Sequence, residues 1–352
     1  MKIINKTFLI IAIYFLQYDC IKSQELFNYV YDGLNRNYYL YLPDSIPIGA
    51  PLVFVFHGFT GTAQGIMNYS GMNAIADIEK FAVCYPQGIM DGSGNTFWNV
   101  GYDFHSDQTV DDVGFVIELA QHLQIEYNLS RNNTFSTGMS NGGEMSYLLA
   151  CQASDIFCSV APVAGTMMNW FYNSCEPLEP ISIFEIHGTN DNVTDWYGDS
   201  DNSDGWGAYM DIDSIIEFWK DLNQCTFLEI DTLDNINTSD GSFVITQKYQ
   251  NCIYENQVWL YKVVNGGHDW PGAYGNMDIN ASAEVWAFFN QNLNEEIIGD
   301  VNFDQSINIQ DLLQIDDHLL NNSNYYYLFD FNQDSDVNVN DIFSIAAHLL
   351  GF

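Results

Sequence analysis

Short apolar runs alternate with amphipathic stretches of helical length along most of this chain, and that alternation limits the fold more than any other feature. Each run has the length of a strand, and Pro51–Phe56 is continuously apolar, as strands are at the centre of a sheet covered on both faces. The runs are Pro51–Phe56, Phe81–Tyr85, Thr134–Thr137, Ser159–Val163, Ile181–Ile186 and Val258–Val264, after a leading pair at Asn28–Tyr31 and Asn37–Leu42 that we expect to be antiparallel. The helical stretches are Asp112–Tyr127, Gly143–Ala150, Met210–Leu222 and Ala281–Leu293. This order predicts an α/β fold with a mostly parallel central sheet and helices on both faces.

The motif Gly138-Met139-Ser140-Asn141-Gly142 joins one of these strands to the helix that follows it. A GxSxG sequence between a strand and a helix is typical of a nucleophile elbow, a tight turn that holds the serine above the sheet. Ser140 is therefore the predicted nucleophile. The backbone N–H of Asn141 is predicted to face the oxyanion that develops during attack on a carbonyl group.

A nucleophilic serine needs a base, and the base needs an acid that orients it. His268 lies in the glycine-rich segment after the run Val258–Val264, and Asp191 lies in the segment after Ile181–Ile186. The order Ser140, Asp191, His268 predicts nucleophile, orienting acid and base. Asp195 is an alternative acid, but it lies four residues farther from the strand.

An oxyanion hole needs a second backbone donor, which in such folds comes from a loop after another central strand. The segment His57-Gly58-Phe59-Thr60-Gly61 follows the run that ends at Phe56. We expect the donor to be the N–H of Phe59, with Thr60 as the alternative.

Near residue 297 the composition changes, and residues 297–352 contain no Lys or Arg. Two twelve-residue segments, 30 positions apart, place oxygen-bearing side chains at positions 1, 3, 5, 7, 9 and 12, in the pattern of a calcium-binding loop. The predicted ligands of two Ca²⁺ ions are Asp300, Asn302, Asp304, Ser306, Asn308 and Asp311, then Asp330, Asn332, Asp334, Asp336, Asn338 and Asp341, the seventh position contributing its backbone carbonyl. Each loop precedes an apolar helical pattern. The chemistry attributed to Ser140 needs no cofactor.

The first 23 residues have the pattern of a secretory signal, with Lys2 and Lys6 before an apolar run that is too short to span a membrane. We therefore expect an extracellular protein. The chain has 9 Lys and Arg against 46 Asp and Glu, for a formal net charge of −37. So acidic a surface disfavours nucleic acid and anionic membranes as partners.

Six cysteines follow the predicted cleavage point, and an even number in an exported chain favours disulfides. Cys225 and Cys252 bracket a predicted two-stranded excursion (Phe227–Asp231 and Ser242–Tyr249), so we expect them to pair. Cys175 is expected to pair with Cys151 or with Cys158.

An ordered set of motifs resembles the polyhydroxybutyrate depolymerase and feruloyl esterase group of α/β-hydrolases over about residues 27–293. It comprises His57-Gly58-Phe59-Thr60-Gly61, Tyr85-Pro86-Gln87-Gly88, Trp98-Asn99, Val110-Asp111-Asp112-Val113-Gly114-Phe115, Gly138-Met139-Ser140-Asn141-Gly142-Gly143, His187-Gly188-Thr189-Asn190-Asp191 and Gly266-Gly267-His268-Asp269-Trp270-Pro271-Gly272. The resemblance implies the α/β-hydrolase fold and a triad of Ser140, Asp191 and His268. It also implies that Asp111 and Asp112 brace loops. Trp98 and Trp270 are expected either to line the substrate face or to be buried.

The C-terminal repeat resembles type I dockerin modules, which implies calcium-dependent folding and a cohesin-like scaffold partner. Gln305 and Ser335 occupy the sixth loop position, where glycine is usual, so the left-handed turn there is less comfortable. The resulting division is a signal peptide (1–23), an esterase domain (24–296) and a dockerin-like domain (297–352). A dockerin-like module favours feruloyl or acetyl esters of a polysaccharide, rather than a polyhydroxyalkanoate, as the expected substrate. A different class, a calcium-dependent scaffold or binding component with an inactive hydrolase domain, stays open.

Overall fold

The computed structural model describes residues 25–302, 306–321 and 326–351. Its strands are β1 (Glu25–Tyr31), β2 (Leu34–Tyr41), β3 (Ala50–Phe56), β4 (Ala82–Pro86), β5 (Ile89–Met90), β6 (Thr96–Phe97), β7 (Leu129–Met139), β8 (Ser159–Val163), β9 (Ser182–Gly188), β10 (Phe227–Thr232), β11 (Phe243–Gln250) and β12 (Val258–Val264). Its α-helices are α1 (Ala63–Ser70), α2 (Met72–Glu79), α3 (Asp112–Glu126), α4 (Asn141–Gln152), α5 (Asn169–Tyr172), α6 (Ile212–Leu222), α7 (Ala281–Gln291), α8 (Ile309–Leu320) and α9 (Val339–Leu349). The predicted signal segment lies outside the described residues.

Within the described residues, ten strands form one sheet in the order β1-β2-β4-β3-β7-β8-β9-β12-β11-β10. The six central strands, from β4 to β12, are parallel to one another. The outer strands are antiparallel, which confirms both the leading pair and the later two-stranded excursion. Because the central strands are parallel, the loops after β3, β7, β9 and β12 emerge at one edge of the sheet, where ligands bind in open α/β folds.

Two apolar cores lie on opposite faces of this sheet. Helices α3, α4 and α6 cover one face with residues such as Phe115, Leu149 and Trp219. Helices α1, α2 and α7 cover the other face with residues such as Met67 and Phe289. The two-sided cover was predicted, but α1 and α2 were not, because they are separated only by Gly71 and carry short apolar stripes.

Two disulfides are present in the structure. Cys225 pairs with Cys252, as predicted, and joins the ends of the β10–β11 excursion. Cys175 pairs with Cys151, one of its two predicted partners. The other, Cys158, has a free thiol beside the carbonyl oxygen of Thr134.

The C-terminal repeat has its own apolar core, formed by residues such as Ile315, Leu328 and Ile345, and its helices α8 and α9 pack together. It touches the rest of the chain through Tyr326, whose hydroxyl donates to the carbonyl of Leu129 (3.1 Å) and whose ring lies 4.7 Å from the guanidinium of Arg131. A domain boundary near residue 297 stays a prediction. Across the described ranges, no helix is both long and apolar enough to cross a membrane.

Candidate active site

Ser140 stands at the junction of β7 and α4 with φ 56° and ψ −123°, a strained conformation for a residue with a side chain. Its backbone N–H donates to the carbonyl of Val163 on the neighbouring strand (3.0 Å). A Cβ atom at Gly138 would lie 2.5 Å from the carbonyl oxygen of Gly142, and one at Gly142 would lie 2.3 Å from that of Phe56. Both flanking glycines are therefore required by close backbone approach, as a nucleophile elbow demands.

His268 and Asp191 meet above the ends of β12 and β9. Nδ1 of His268 lies 2.7 Å from Oδ2 of Asp191, whose other oxygen accepts the N–H groups of Val193 (2.8 Å) and Thr194 (2.9 Å). The Asp191 side chain is fully buried, and both of its carboxylate oxygens are held by hydrogen bonds. Asp195, the alternative acid, is exposed and instead caps its own turn. Nδ1 of His268 faces Asp191. Nε2 is therefore the ring nitrogen that is left for proton transfer.

The loop after β3 approaches the serine closely. A Cβ atom at Gly58 would lie 3.3 Å from Cβ of Ser140 and 3.9 Å from its Oγ. The N–H of Thr60 donates to the carbonyl of Thr96 (2.8 Å), so this group is occupied. Of the two predicted donors, the geometry leaves the N–H of Phe59.

His57 sets the direction of that N–H. Its Nδ1 lies 2.8 Å from the carbonyl oxygen of Gly58, which also accepts the N–H of Gly61 (2.9 Å). In a trans peptide the N–H points opposite to the C=O, so anchoring the Gly58 oxygen aims the Phe59 N–H the other way. Nε2 of His57 accepts the N–H of Gly88 (2.9 Å), and burial lowers the pKa of His57 to about 4. A neutral, fixed imidazole thus holds the loop.

Asn141 opens α4, and N–H groups in the first turn of a helix have no intrahelical acceptor. Its side chain is locked to the backbone of Trp98: Oδ1 accepts that residue's N–H (2.7 Å) and Nδ2 donates to its carbonyl (3.1 Å). The residue that carries this predicted donor is therefore held in place by the neighbouring loop.

The expectation that Trp98 and Trp270 line the substrate face is wrong. Both side chains are buried, at 0% and 1% exposure. The indole of Trp98 donates to the carbonyl of His57 (2.9 Å), and that of Trp270 donates to Oγ of Ser282 (3.1 Å). Each ring fills the core and ties loops together, which was the other expectation.

A buried network that the sequence reasoning missed lies behind Asp191. Nδ1 of His187 lies 2.8 Å from Glu185, whose second oxygen accepts the hydroxyl of Tyr147 (3.0 Å), and Nε2 of His187 lies 3.6 Å from Oδ2 of Asp191. Burial raises the pKa of Glu185 to about 7. Burial alone would lower the pKa of His187, but hydrogen bonding and the charge of Glu185 raise it. The one signal in the sequence was Glu185, a charged residue inside a buried and mostly apolar strand.

Glu144, also not predicted, is buried under the elbow. Its carboxylate accepts the hydroxyl of Tyr102 (2.5 Å) and lies 3.5 Å from Nδ2 of Asn141. Burial raises the pKa of Glu144 to about 7. This carboxyl group therefore supports the helix start that carries the nucleophile.

The two aspartates implied to brace loops have distinct contacts. Asp112 forms a buried ion pair with Arg36 (2.6 Å, each side chain 1% exposed) and accepts the N–H of Asn99 (2.7 Å). Asp111 caps α3 through the N–H of Gly114 (2.8 Å). Neither forms a carboxylate dyad, and Asp112 fixes the loop that holds Asn141.

The described parts of the two C-terminal loops share one geometry where each loop enters its helix, a capping box at Asn308–Asp311 and at Asn338–Asp341. Both oxygens of the buried Asp341 accept backbone N–H groups, from Asn332 (3.2 Å) and Asn338 (2.8 Å). Asp311 is likewise buried and accepts the N–H of Val301 (2.9 Å), among others. Among the described residues no group of three or more His, Cys, Asp or Glu is arranged to hold a metal ion. Asp304 and Gln305 lie outside them.

Ser335 has φ 71°, so the sixth position of the second loop does adopt the left-handed conformation that favours glycine.

Comparison with known proteins agrees with this architecture. Residues 36–178 match a family model described as Esterase PHB depolymerase. The bifunctional acetylxylan esterase/xylanase XynS20E of Neocallimastix patriciarum is 23% identical over 259 residues, or 74% of this chain and 34% of that protein. Feruloyl esterase B of Piromyces equi is 26% identical over 62% of this chain and 39% of its own. Poly(3-hydroxyalkanoate) depolymerase C of Paucimonas lemoignei is 27% identical over 37% of this chain and 31% of that protein.

The chain thus spans less than half the length of these relatives. Among solved structures, acetyl xylan esterase from Aspergillus awamori superposes with a TM-score of 0.53 at 15% identity, covering 76% of this chain and 99% of that one. The fold is therefore α/β-hydrolase-like, with a large and mostly parallel sheet. The match to the Esterase PHB depolymerase family model lies within this fold, over residues 36–178.

Proposed function

We propose that this protein is a secreted serine carboxylic ester hydrolase that works through an acyl-enzyme. The observation that carries the proposal is the contact of His268 with Asp191 at the sheet edge where Ser140 occupies a strained elbow. The matched family and the names of the relatives, which are esterases or depolymerases, support the same chemistry.

The proposed reaction begins when Oγ of Ser140 attacks the ester carbonyl and Nε2 of His268 takes the hydroxyl proton. The N–H groups of Phe59 and Asn141 stabilise the resulting oxyanion, and Asp191 stabilises the imidazolium. When the tetrahedral intermediate collapses, His268 returns the proton to the leaving alcohol. A water molecule, deprotonated by His268, then attacks the acyl-enzyme and releases the acid and the free serine.

The proposed substrates are feruloyl or acetyl esters of a polysaccharide. Two relatives are named for acetylxylan and feruloyl esters, which supports this class. A polyhydroxyalkanoate is the second candidate, because the family description and a third relative name polyester depolymerases. Initial rates on methyl ferulate, acetylated xylan and polyhydroxybutyrate film would separate them.

The matched control for that panel is Ser140→Ala, which removes the nucleophile from the same surface. We expect it to hydrolyse none of the three substrates. Hydrolysis by the variant at the wild-type rate would reject Ser140 as the nucleophile, and absence of hydrolysis by the wild type would favour a scaffold component with an inactive hydrolase domain.

For residues 297–352 we propose two calcium sites, with the loop residues named above as ligands, and a cohesin-like partner. The support is the duplicated twelve-residue sequence pattern and the burial of Asp311 and Asp341 in a segment that has no Lys or Arg. Titration calorimetry with CaCl₂ should give about two sites per chain. Heat no different from a buffer blank would reject the assignment. The two disulfides support export to an oxidising compartment, and scaffold attachment outside the cell is part of the same proposal.

A further inference from the structure

A cleft of about 600 Å³ opens beside the loop that carries Phe59. Its walls come from three further segments, residues 91–95, 104–108 and 204–206. Phe59 belongs to both places: its backbone N–H is the proposed oxyanion donor, and its ring forms part of the cleft wall. The cleft therefore adjoins the reaction site without containing Ser140.

Aromatic side chains form one wall. The ring centroid of Phe59 lies 5.5 Å from that of Trp206 and 5.7 Å from that of Phe104, and the last two are 5.5 Å apart. Phe104 is 46% exposed, and Trp206 is partly exposed. Aromatic rings left open to solvent in a concave site offer a π-face to a ligand.

The wall is held in shape before any ligand arrives. The carbonyl of Trp206 accepts the N–H of Asp103 (3.1 Å), and the side chain of Asn202 joins Asp103 (2.5 Å) to the N–H of Gly207 (2.7 Å). Gly207 has φ 106°, and a Cβ atom there would lie 2.8 Å from the methyl group of Met168. Because the aromatic wall is already fixed, little conformational entropy is lost when a ligand binds to it.

The other side chains that line the cleft are mostly polar, and three of them are acidic. Asp107 and Asp204 are exposed, and Asp91 is partly buried. Hydrogen bonds, first that from the N–H of Asn95, hold the pKa of Asp91 well below its usual range. The residues that line the cleft include no Lys or Arg. Such a rim accepts hydrogen bonds from hydroxyl groups and repels anions.

Together these features select a ligand class. The C–H face of a sugar ring packs on an aromatic face, and the sugar hydroxyls supply the donors that carboxylates need. A polyhydroxyalkanoate chain has no such donors along its length, and a uronate carries a charge that the rim repels. We propose that this cleft is a subsite for the neutral saccharide units of the polymer that bears the ester, a proposal that rests on the ester hydrolase function.

Kinetics on two substrates test the subsite. In Phe104→Ala and Trp206→Ala we expect kcat/KM on acetylated xylo-oligosaccharides to fall by about tenfold, mainly through KM, because a stacking surface is lost. The rate on 4-nitrophenyl acetate, which has no sugar, should stay within about twofold. Tyr254→Ala, at an exposed aromatic residue outside the cleft, is the matched control and should change neither rate.

A charged substrate probes the acidic rim. The wild-type protein should have a higher kcat/KM on neutral than on glucuronate-bearing acetylated oligosaccharides. The double variant Asp107→Asn/Asp204→Asn should reduce the ratio of these two kcat/KM values at low salt. Proportional losses on both substrates in the aromatic variants, or no preference against the uronate, would overturn the proposal.

Binding without turnover separates this proposal from the enzyme assignment. Ser140→Ala should bind unesterified xylohexaose or cellohexaose in titration calorimetry, and the addition of Trp206→Ala should abolish that binding. Absence of binding to both sugars overturns the subsite even when wild type hydrolyses esters. Binding by a chain that hydrolyses no ester upholds the cleft while the enzyme proposal fails.

Discussion

The catalytic region and the C-terminal repeat both contain buried carboxylates, but the groups that contact those carboxylates differ between the two regions. In residues 25–293, Asp112 lies against Arg36, Asp191 against His268 and Glu185 against His187. In the repeat, Asp311 and Asp341 accept backbone N–H groups, and residues 297–352 have no Lys or Arg to neutralise them.

An unneutralised buried charge costs several kcal/mol. In the first region Arg36 neutralises Asp112. Asp191 and Glu185 instead have histidine rings as hydrogen-bond partners, so the contacts of this site are formed by its own side chains. The second has the composition of a segment whose charge is balanced from outside, and the proposed calcium would supply that balance.

The largest expected effect, a loss of kcat, comes from changing the Asp191–His268 contact, which serves the proposed reaction. Asp191→Asn keeps the shape of the side chain but can present an amide N–H to Nδ1 of His268, which favours the wrong tautomer. We expect kcat to fall by about 10⁴-fold. Asp195→Asn, at the exposed neighbour, should leave kcat within about twofold. A comparable loss in both variants would contradict the role assigned to Asp191.

Breaking the Arg36–Asp112 ion pair tests how much charge neutralisation contributes to the stability of the fold. Arg36→Met leaves Asp112 buried beside an apolar chain and should lower the free energy of unfolding by about 3–5 kcal/mol in urea denaturation. Arg36→Met/Asp112→Leu removes both charges and should recover much of that loss. A loss below about 1 kcal/mol in the single variant would mean that the pair is not needed for stability.

Glu144 gives a pH-dependent prediction. Burial raises its pKa in the folded state from 4.5 to about 7, so the folded protein holds this proton more tightly than the unfolded chain. Stability from Glu144 is thus present below pH 4.5 and is lost as the pH rises through about 7. Glu144→Gln should gain stability relative to wild type, by up to about 3 kcal/mol, between pH 4.5 and pH 7.5.

Comparing the two proteins at each pH isolates Glu144. Glu185 and His57 also titrate, with pKa values of about 7 and about 4, but their contributions are common to both proteins. A difference in stability that does not vary with pH would refute the raised pKa.

Chelation tests the other region. Calcium at about 100 times its Kd stabilises the state that binds it by about 2.7 kcal/mol. EDTA should therefore lower the melting temperature of the repeat, followed by circular dichroism, and leave hydrolysis of 4-nitrophenyl acetate unchanged. Asp330→Asn should weaken the response, and Asp317→Asn, at an exposed position on α8, should not. Loss of esterase activity with EDTA would contradict the separation of the two regions.

The sequence predicted features that depend on local pattern. The apolar runs became β3, β4, β7, β8, β9 and β12, with ends shifted by a few residues, and Cys225 and Cys252 pair as their positions around one hairpin predict. Asp191 and His268 meet because loops after neighbouring parallel strands must emerge together, a rule that applies before any coordinates are known.

Features that depend on packing between distant segments were not predictable. The spacing of Cys151 and Cys158 left both as partners of Cys175, and the choice depends on how α4 sits against the sheet. The burial of Trp98 and the anchoring of Gly58 by His57 arise from contacts between loops far apart in the chain. The acidic cleft beside Phe59 likewise joins three segments with no common sequence motif.

The central claim is that Ser140 is an activated nucleophile, and covalent labelling tests it directly. Folded protein treated with a fluorophosphonate probe, digested and analysed by mass spectrometry should carry one adduct on Ser140, with none in Ser140→Ala. The adduct should form much more slowly in Asp191→Asn. Folded wild-type protein that stays unlabelled, or an adduct on another residue that persists in Ser140→Ala, would contradict the account.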